Sequence, residues 1–264
     1  MHLFLLLISL LPLTAQAFDI PKGLTSEDRK EVVRFLGMNS AIKTLSNPYP
    51  LGGYSGFEVG YSMELISVRD VRRLGCQAGS PGCTNSPNNF ESEWNFSRVT
   101  FGKGLYGDID LFGSFVPPAN EFGISDFGGL VRWSFYQAQF LPINLSLLVH
   151  ANQSNFNDMF MNRNFGTELI AGVNVDNFAL YFGGGTIKST GRFVGPDSNG
   201  VCQEDCTVDP SDSQVDPQSR MVTEDVIETH TVVGFSLHFG NLFSAAEVDR
   251  YRDAVYSMKL GLRF

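Results

Sequence analysis

The 264-residue chain is 43% hydrophobic, 18% charged and 12% aromatic, with 23 Phe against 2 Trp and 27 Gly against 12 Pro. Its 19 Lys plus Arg against 28 Asp plus Glu give a net charge of −9. That balance, without clustered basic residues, excludes a nucleic-acid partner, and the apolar content excludes an intrinsically disordered chain. Beyond residue 17 no run approaches the roughly 20 apolar residues a membrane-spanning helix needs. The chain is either soluble and exported, or crosses a membrane with strands.

Leu3 to Leu13 form an apolar block of signal-peptide length, and Ala15-Gln16-Ala17 has the small-x-small pattern of a cleavage site. Residues 1–17 are therefore expected to be a signal peptide, cleaved near Ala17. Residues 18–53 differ in texture from the remainder of the chain. Thr25 with Asp28 has the form of a helix N-cap, Val32, Val33, Phe35 and Leu36 cluster on one face, and Gly37 offers a stop. The turn-rich stretch from Asn47 to Gly53 then closes this segment. Its short apolar face needs burial, and the expected role is a periplasmic helical segment, with the nearer barrel mouth to plug.

From Tyr54 to Phe264 the period of the apolar residues becomes two. Phe57, Val59, Tyr61, Met63 and Leu65 alternate with polar or small residues, and Ile143, Leu145, Leu147 and Val149 do the same. Phe127, Val131, Trp133 and Phe135 alternate with a face that carries Arg132 and Tyr136. Ten such segments lie near 54–67, 92–102, 107–116, 126–137, 142–152, 164–174, 177–188, 222–239, 241–250 and 253–264. In the second, the phase changes between Trp94/Phe96 and Val99/Phe101, which predicts a bulge. Gly183-Gly184-Gly185 fits a place where strands crowd.

Short connections at Lys103–Tyr106, Ala138–Leu141, Asn174–Asn177 and Gly240-Asn241 alternate with long ones at Arg69–Phe90, Val116–Ser125, Gln153–Arg163 and Ser189–Met221. An even strand count with loops segregated by length is the organisation of outer-membrane barrels. At about 3.3 Å per residue, ten or eleven tilted residues cover an apolar band of about 25 Å. The polar faces carry Glu58, Glu64, Asp110, Arg132, His150, Glu168, Glu228, His230 and Lys259, which suit the lining of a lumen.

The ending Tyr256-x-Met258-x-Leu260-Gly261-Leu262-Arg263-Phe264 resembles the C-terminal assembly signal of bacterial outer-membrane β-barrel proteins. That resemblance implies recognition of the last strand by the barrel-assembly machinery, and residence in the outer membrane of a Gram-negative bacterium among its lipids. The expected architecture is an all-β, antiparallel transmembrane barrel of about ten strands over residues 54–264, preceded by a short helical segment.

Cys76 and Cys83 lie in the first long connection and Cys202 and Cys206 in the fourth. In an oxidising periplasm the two local pairings are favoured among three connectivities. No His flanks them, so no metal is expected. The fourth connection is acidic, with Asp197, Glu204, Asp205, Asp209, Asp212 and Asp216, but lacks the ordered spacing of a calcium loop. No nucleophile motif or phosphate loop occurs, and no cofactor is implied. Asp108 with Asp110 and Glu228 with His230 are similar to the acidic and Asp/His pairs of omptin proteases, which are ten-stranded outer-membrane barrels, but the topology separates the two pairs.

The function expected is therefore a non-enzymatic envelope protein, structural or surface-interacting, with at most a narrow, porin-like solute path. Two alternatives are a barrel hydrolase with Glu228 and His230 at its rim, and a soluble exported barrel whose apolar faces point inward around an apolar ligand.

Overall fold

The structure is a computed structural model that describes residues 24, 26–67, 74, 93–116, 124–138, 140–156, 158, 160–193 and 222–264. The signal-peptide stretch, Thr25, the four cysteines and the acidic fourth connection lie outside the described residues.

A helix α1 (Ser26–Val32) runs without a break into a π-helical turn (Val33–Met38). Ten strands follow a single turn of 3-10 helix at Gly53–Ser55: β1 (Phe57–Ser67), β2 (Glu93–Gly104), β3 (Ile109–Phe115), β4 (Ile124–Gln137), β5 (Ile143–Phe156), β6 (Phe160–Val175), β7 (Phe178–Phe193), β8 (Val222–Phe239), β9 (Leu242–Arg250) and β10 (Ala254–Arg263). Each pairs antiparallel with its sequence neighbour, and β1 pairs with β10, so the sheet closes on itself. The seam extends one step past β10, where the backbone groups of Phe57 and Phe264 exchange hydrogen bonds of 3.0 and 2.8 Å. Closure leaves no sheet edge along the seam, which is the condition for strands to cross lipid.

The alternation read from the sequence decides which face looks where. Phe127 (62% exposed), Val131, Trp133 and Phe135 of β4 face outward, as do Phe178, Leu180 and Phe182 of β7 and Tyr256, Met258 (66%) and Leu260 of β10. The inward face buries Glu58, Glu64, Arg98, Asp110, Asp126 and Arg132. An apolar exterior around a charged, buried interior is the inverse of a soluble barrel with an apolar cavity. The inward-facing arrangement which that alternative required is overturned.

Three local expectations are corrected. β1 and β2 pair without a register shift from Phe57↔Lys103 to Ser67↔Glu93, so there is no bulge in β2. Phe96 simply faces inward, buried beside Ile66 and the apolar residues of the helical segment. The shift lies in β4 instead, between Trp133 and Tyr136, and it turns Tyr136 outward at 50% exposure. Gln153–Arg163 is not a long connection, because β5 and β6 keep pairing as far as Phe156↔Phe160 and only three residues join them. The asparagines and serines there read as loop, yet Asn152, Ser154, Asn162 and Asn164 are buried strand residues that hydrogen-bond inside the lumen.

The glycine run in β7 does relieve crowding. A Cβ on Gly185 would sit 2.0 Å from the Thr167 carbonyl oxygen, and one on Gly183 would sit 2.2 Å from that of Leu169. Gly185→Val should therefore destabilise the barrel by about 1–3 kcal/mol through overpacking, read as the urea midpoint of the folded protein in detergent. Thr186→Val, on the exposed outer face of the same strand, should leave that midpoint within about 0.5 kcal/mol of the parent.

Candidate functional site

The distinctive feature of the molecule is what fills the barrel. The chain ahead of β1 runs through the lumen, and Met38, Asn39, Ser40, Ala41, Ile42, Lys43, Thr44, Leu45, Ser46 and Asn47 are all buried there. Its contacts trace the path. Ser26 and Arg29 meet Glu224 near the start of β8, Arg34 meets Glu228 at 2.8 Å, and Glu31 meets Arg252 in the β9–β10 connection. Further along, Leu45 N–H donates to Glu247, Ser46 to Glu58 and Leu51 N–H to Asp110. The helical segment thus stands at the mouth that carries the long connections, and the chain leaves the lumen at the opposite, short-turn mouth to enter β1.

This corrects the expectation that the helix would sit at the periplasmic, short-turn mouth, and Gly37 does not stop it. The helix continues past Gly37 as a π turn, pressed so close to β6 and β7 that a Cβ there would lie 2.5 Å from Asn162 Oδ1 and 2.6 Å from Ser189 Oγ. The apolar face predicted from Val32, Val33, Phe35 and Leu36 is buried against Phe156, Phe160, Ile187 and Phe193. Burial between β strands, beyond reach of water, removes any need for the helix to find a second apolar partner.

Past Met38 the segment has no regular structure, so its backbone groups need partners in a place without water. The wall supplies them as guanidinium groups. Arg132 donates to the carbonyl oxygens of Asn47 (2.5 Å) and Tyr49 (3.0 Å) while Asp110 accepts from its Nε and Nη2 at 3.1 and 2.8 Å. Arg98 donates to the carbonyls of Ser40 and Ala41, pairs with Glu64 and with Asp126 (2.9 Å), and stacks 4.2 Å over the ring of Phe96. Arg263 reaches the carbonyls of Tyr49 (3.2 Å) and Pro50 (2.6 Å). Amide side chains do the same higher up, with Asn152 donating to Ser40 O at 2.9 Å and Asn164 to Gly37 O at 2.7 Å. A guanidinium presents five donors in a fixed fork, so one arginine can hold a wall carboxylate and two plug carbonyls together.

A second cluster crosses the barrel's middle. His150 Nε2 lies 3.0 Å from Glu168 Oε1, His230 lies 3.5 Å from both Glu168 and Asp249, and Lys43 of the plug lies 3.8 Å from Asp249. Glu247 accepts a 2.7 Å hydrogen bond from Tyr181, and Tyr251 stacks on His230 at 4.6 Å. Lys259 and Glu58 form a separate pair at 2.7 Å.

All nine polar residues read as lumen-lining project inward, with Glu228 partly exposed and the other eight buried. Glu228 pairs with Arg34 at 2.8 Å. His230 has two carboxylates near it, but its side chain is fully buried and the group stacked on it is the Tyr251 ring. Asp110 is tied to Arg132 near the short-turn mouth, and Asp108 occupies the turn before β3, so neither approaches Glu228 and His230.

The residues missed are Arg98, Asp126, Glu247, Asp249 and Lys43. Arg98 was hidden by the misplaced bulge, whereas Asp126 opens the fourth segment on the same face as Arg132 and was legible from alternation. Glu247 and Asp249 sit on the same face of β9 and were legible from alternation. Among the described residues no three His, Asp or Glu side chains are placed so that they could hold a metal ion.

The closed ladder, the apolar exterior and the packed, ionised interior together define a transmembrane β-barrel with an internal plug. No protein-family model matches this sequence, and no curated protein matches it. Among solved structures it is similar to the N-terminal β-barrel domain of OprF from Pseudomonas aeruginosa, at 9% identity over 80% of this chain and 99% of that one, with a TM-score of 0.34. It is also similar to Ail, the attachment invasion locus protein of Yersinia pestis, at 11% identity over 79% of this chain and 97% of that one, with a TM-score of 0.28. Both are outer-membrane β-barrel proteins.

Removing one member of a buried, hydrogen-bonded ion pair strands its partner. Arg132→Met should cost about 3–5 kcal/mol, because it removes the cation paired with the buried Asp110 carboxylate, leaving that group only the Leu51 N–H, and strips the Asn47 carbonyl of its donor. Arg132→Met combined with Asp110→Leu should recover part of that loss in the same denaturation measurement.

Proposed function

We propose that this protein is a plugged barrel of the Gram-negative outer membrane, non-enzymatic, with a structural or surface-interacting role and a lumen closed to solutes. The observation that carries the reading is the plug itself. Residues 38–51 run the length of the lumen in contact with wall residues from β1, β2, β3, β4, β5, β9 and β10. A barrel devoted to passage would gain nothing from arginines spent on holding an obstruction. A hydrolase would need its His230 to meet substrate, and that ring is buried under Tyr251.

In this reading lipid covers the apolar exterior, and the assembly machinery takes up β10 through Tyr256, Met258, Leu260, Leu262 and Phe264, with Gly261 leaving room for the Phe243 ring. The signal peptide ends near Ala17. The long connections and α1 share the outer mouth, so the surface offered to the exterior is a composite of the two.

Fractionation, gel mobility, bilayer conductance and cysteine labelling test this. The mature protein should fractionate with the outer membrane, run faster unboiled than boiled, and give no channel steps in a planar bilayer. Steady conductance of the unaltered protein would refute the closed lumen, and recovery in the soluble periplasmic fraction would refute the membrane assignment. With the native cysteines replaced by serine, Glu27→Cys should react with an impermeant maleimide on intact cells, as Asp158→Cys should, whereas Tyr106→Cys should react only after lysis. Labelling of Tyr106→Cys but not Glu27→Cys on intact cells would show the barrel to be inverted.

A further inference from the structure

The barrel wall is uneven at the long-connection end. β8 pairs with β7 from Val222 to Leu237, but with β9 only from Thr231 onward. β9 ends at Arg250, and the chain turns through Tyr251 to Asp253 into β10. The step leaves a lateral notch of about 330 Å³ in the wall, lined by Thr229, His230, Thr231, Arg250 and Tyr251.

Among the described residues, the notch carries a cation without a counter-ion. Three other rim cations have carboxylate partners, Lys188 with Asp225 at 3.0 Å, Arg252 with Glu31 at 3.0 Å, and Arg34 with Glu228, while Arg163 of β6 donates to the Gln153 amide oxygen at 3.0 Å. Arg250 is exposed and has no ion-pair partner among the described residues. The carboxylate beside it in sequence, Asp249, points inward to His230 and Lys43, and Glu168 lies behind that ring. Thr229 and Thr231 bring two exposed hydroxyl groups to the outer face of the same notch. Directly below, toward the short-turn end, the outward residues are apolar: Val233 on β8, Val248 on β9 and Tyr256 on β10.

We propose that this notch is a binding site for the phosphate headgroup of an anionic lipid in the leaflet on the long-connection side. Arg250 supplies the charge, the two threonine hydroxyls donate to phosphate oxygens, and an acyl chain lies along Val233, Val248 and Tyr256. An unpaired guanidinium at the border of an apolar belt meets anionic headgroups at that depth, and charge-assisted hydrogen bonds to phosphate are stronger than neutral ones. The proposal rests on the membrane reading above, since only an embedded barrel presents the notch to lipid.

The test uses the full mature chain in phosphatidylcholine nanodiscs with and without phosphatidylglycerol. Anionic lipid retained after exchange into detergent is counted by mass spectrometry for the parent, for Arg250→Gln and for Lys103→Gln at the opposite mouth. The parent and Lys103→Gln should retain phosphatidylglycerol in preference to phosphatidylcholine, and Arg250→Gln should lose about tenfold in apparent affinity. Equal retention by Arg250→Gln overturns the site. Displacement of the lipid by inorganic phosphate at matched concentration overturns the lipid assignment in favour of a free-anion site. A parent protein that does not enter nanodiscs indicts the membrane reading instead, because heat modifiability is lost in that case and kept in the others.

Discussion

The structure turns on one constraint, the cost of placing guanidinium and carboxylate groups where water does not reach. Arg98 and Arg132 are each only 0–1% exposed, inside a barrel whose outside is apolar. A wall carboxylate neutralises each charge but leaves donors of the fork unused. The plug supplies the missing acceptors as backbone carbonyls, and the plug in turn needs donors because it has no ladder of its own. Wall and plug therefore satisfy each other, and neither is a complete structure alone. This reciprocity also explains why residues 39–51 can be irregular. What the wall grips is main chain, so the segment is held without the periodicity that a helix or strand would impose on its sequence.

The same constraint shapes the rest. The helical turn at the long-connection mouth buries its apolar face on Phe156, Phe160, Ile187 and Phe193, which stops water entering from that side. The wall is built to let this happen, with Gly37 at the contact and asparagine and serine side chains, in place of larger residues, on the strands it touches. Stability of the lumen and position of the N-terminal helix are thus one property. A change that loosens the arginine contacts releases the helix from the surface mouth as well.

Much of the barrel was legible because alternation with period two leaves few choices. Met258 and Lys259 cannot exchange faces without moving every neighbour, so strand count, pairing order and the inward set of charges followed from the pattern. The errors came where that signal fails. Asn and Ser between Gln153 and Arg163 look like a loop by composition, and only a lumen lined with hydrogen-bonding plug atoms makes them strand residues. Phe96 looks like a phase error unless the interior holds an apolar helix for it to touch.

The plug's route was not legible at all. Residues 39–51 carry no periodicity, and nothing in Asn47-Pro-Tyr-Pro-Leu-Gly-Gly says that its carbonyls face arginines from β4 and β10. Composition alone made this stretch a linker. Those contacts are also what separates this barrel from an open one with the same strands. The direct measurement is amide hydrogen exchange of the folded protein across residues 39–51. The account predicts that the amides of Ala41, Leu45 and Leu51 exchange as slowly as those of β5 and β6, and exchange at the rate of an exposed loop would contradict it.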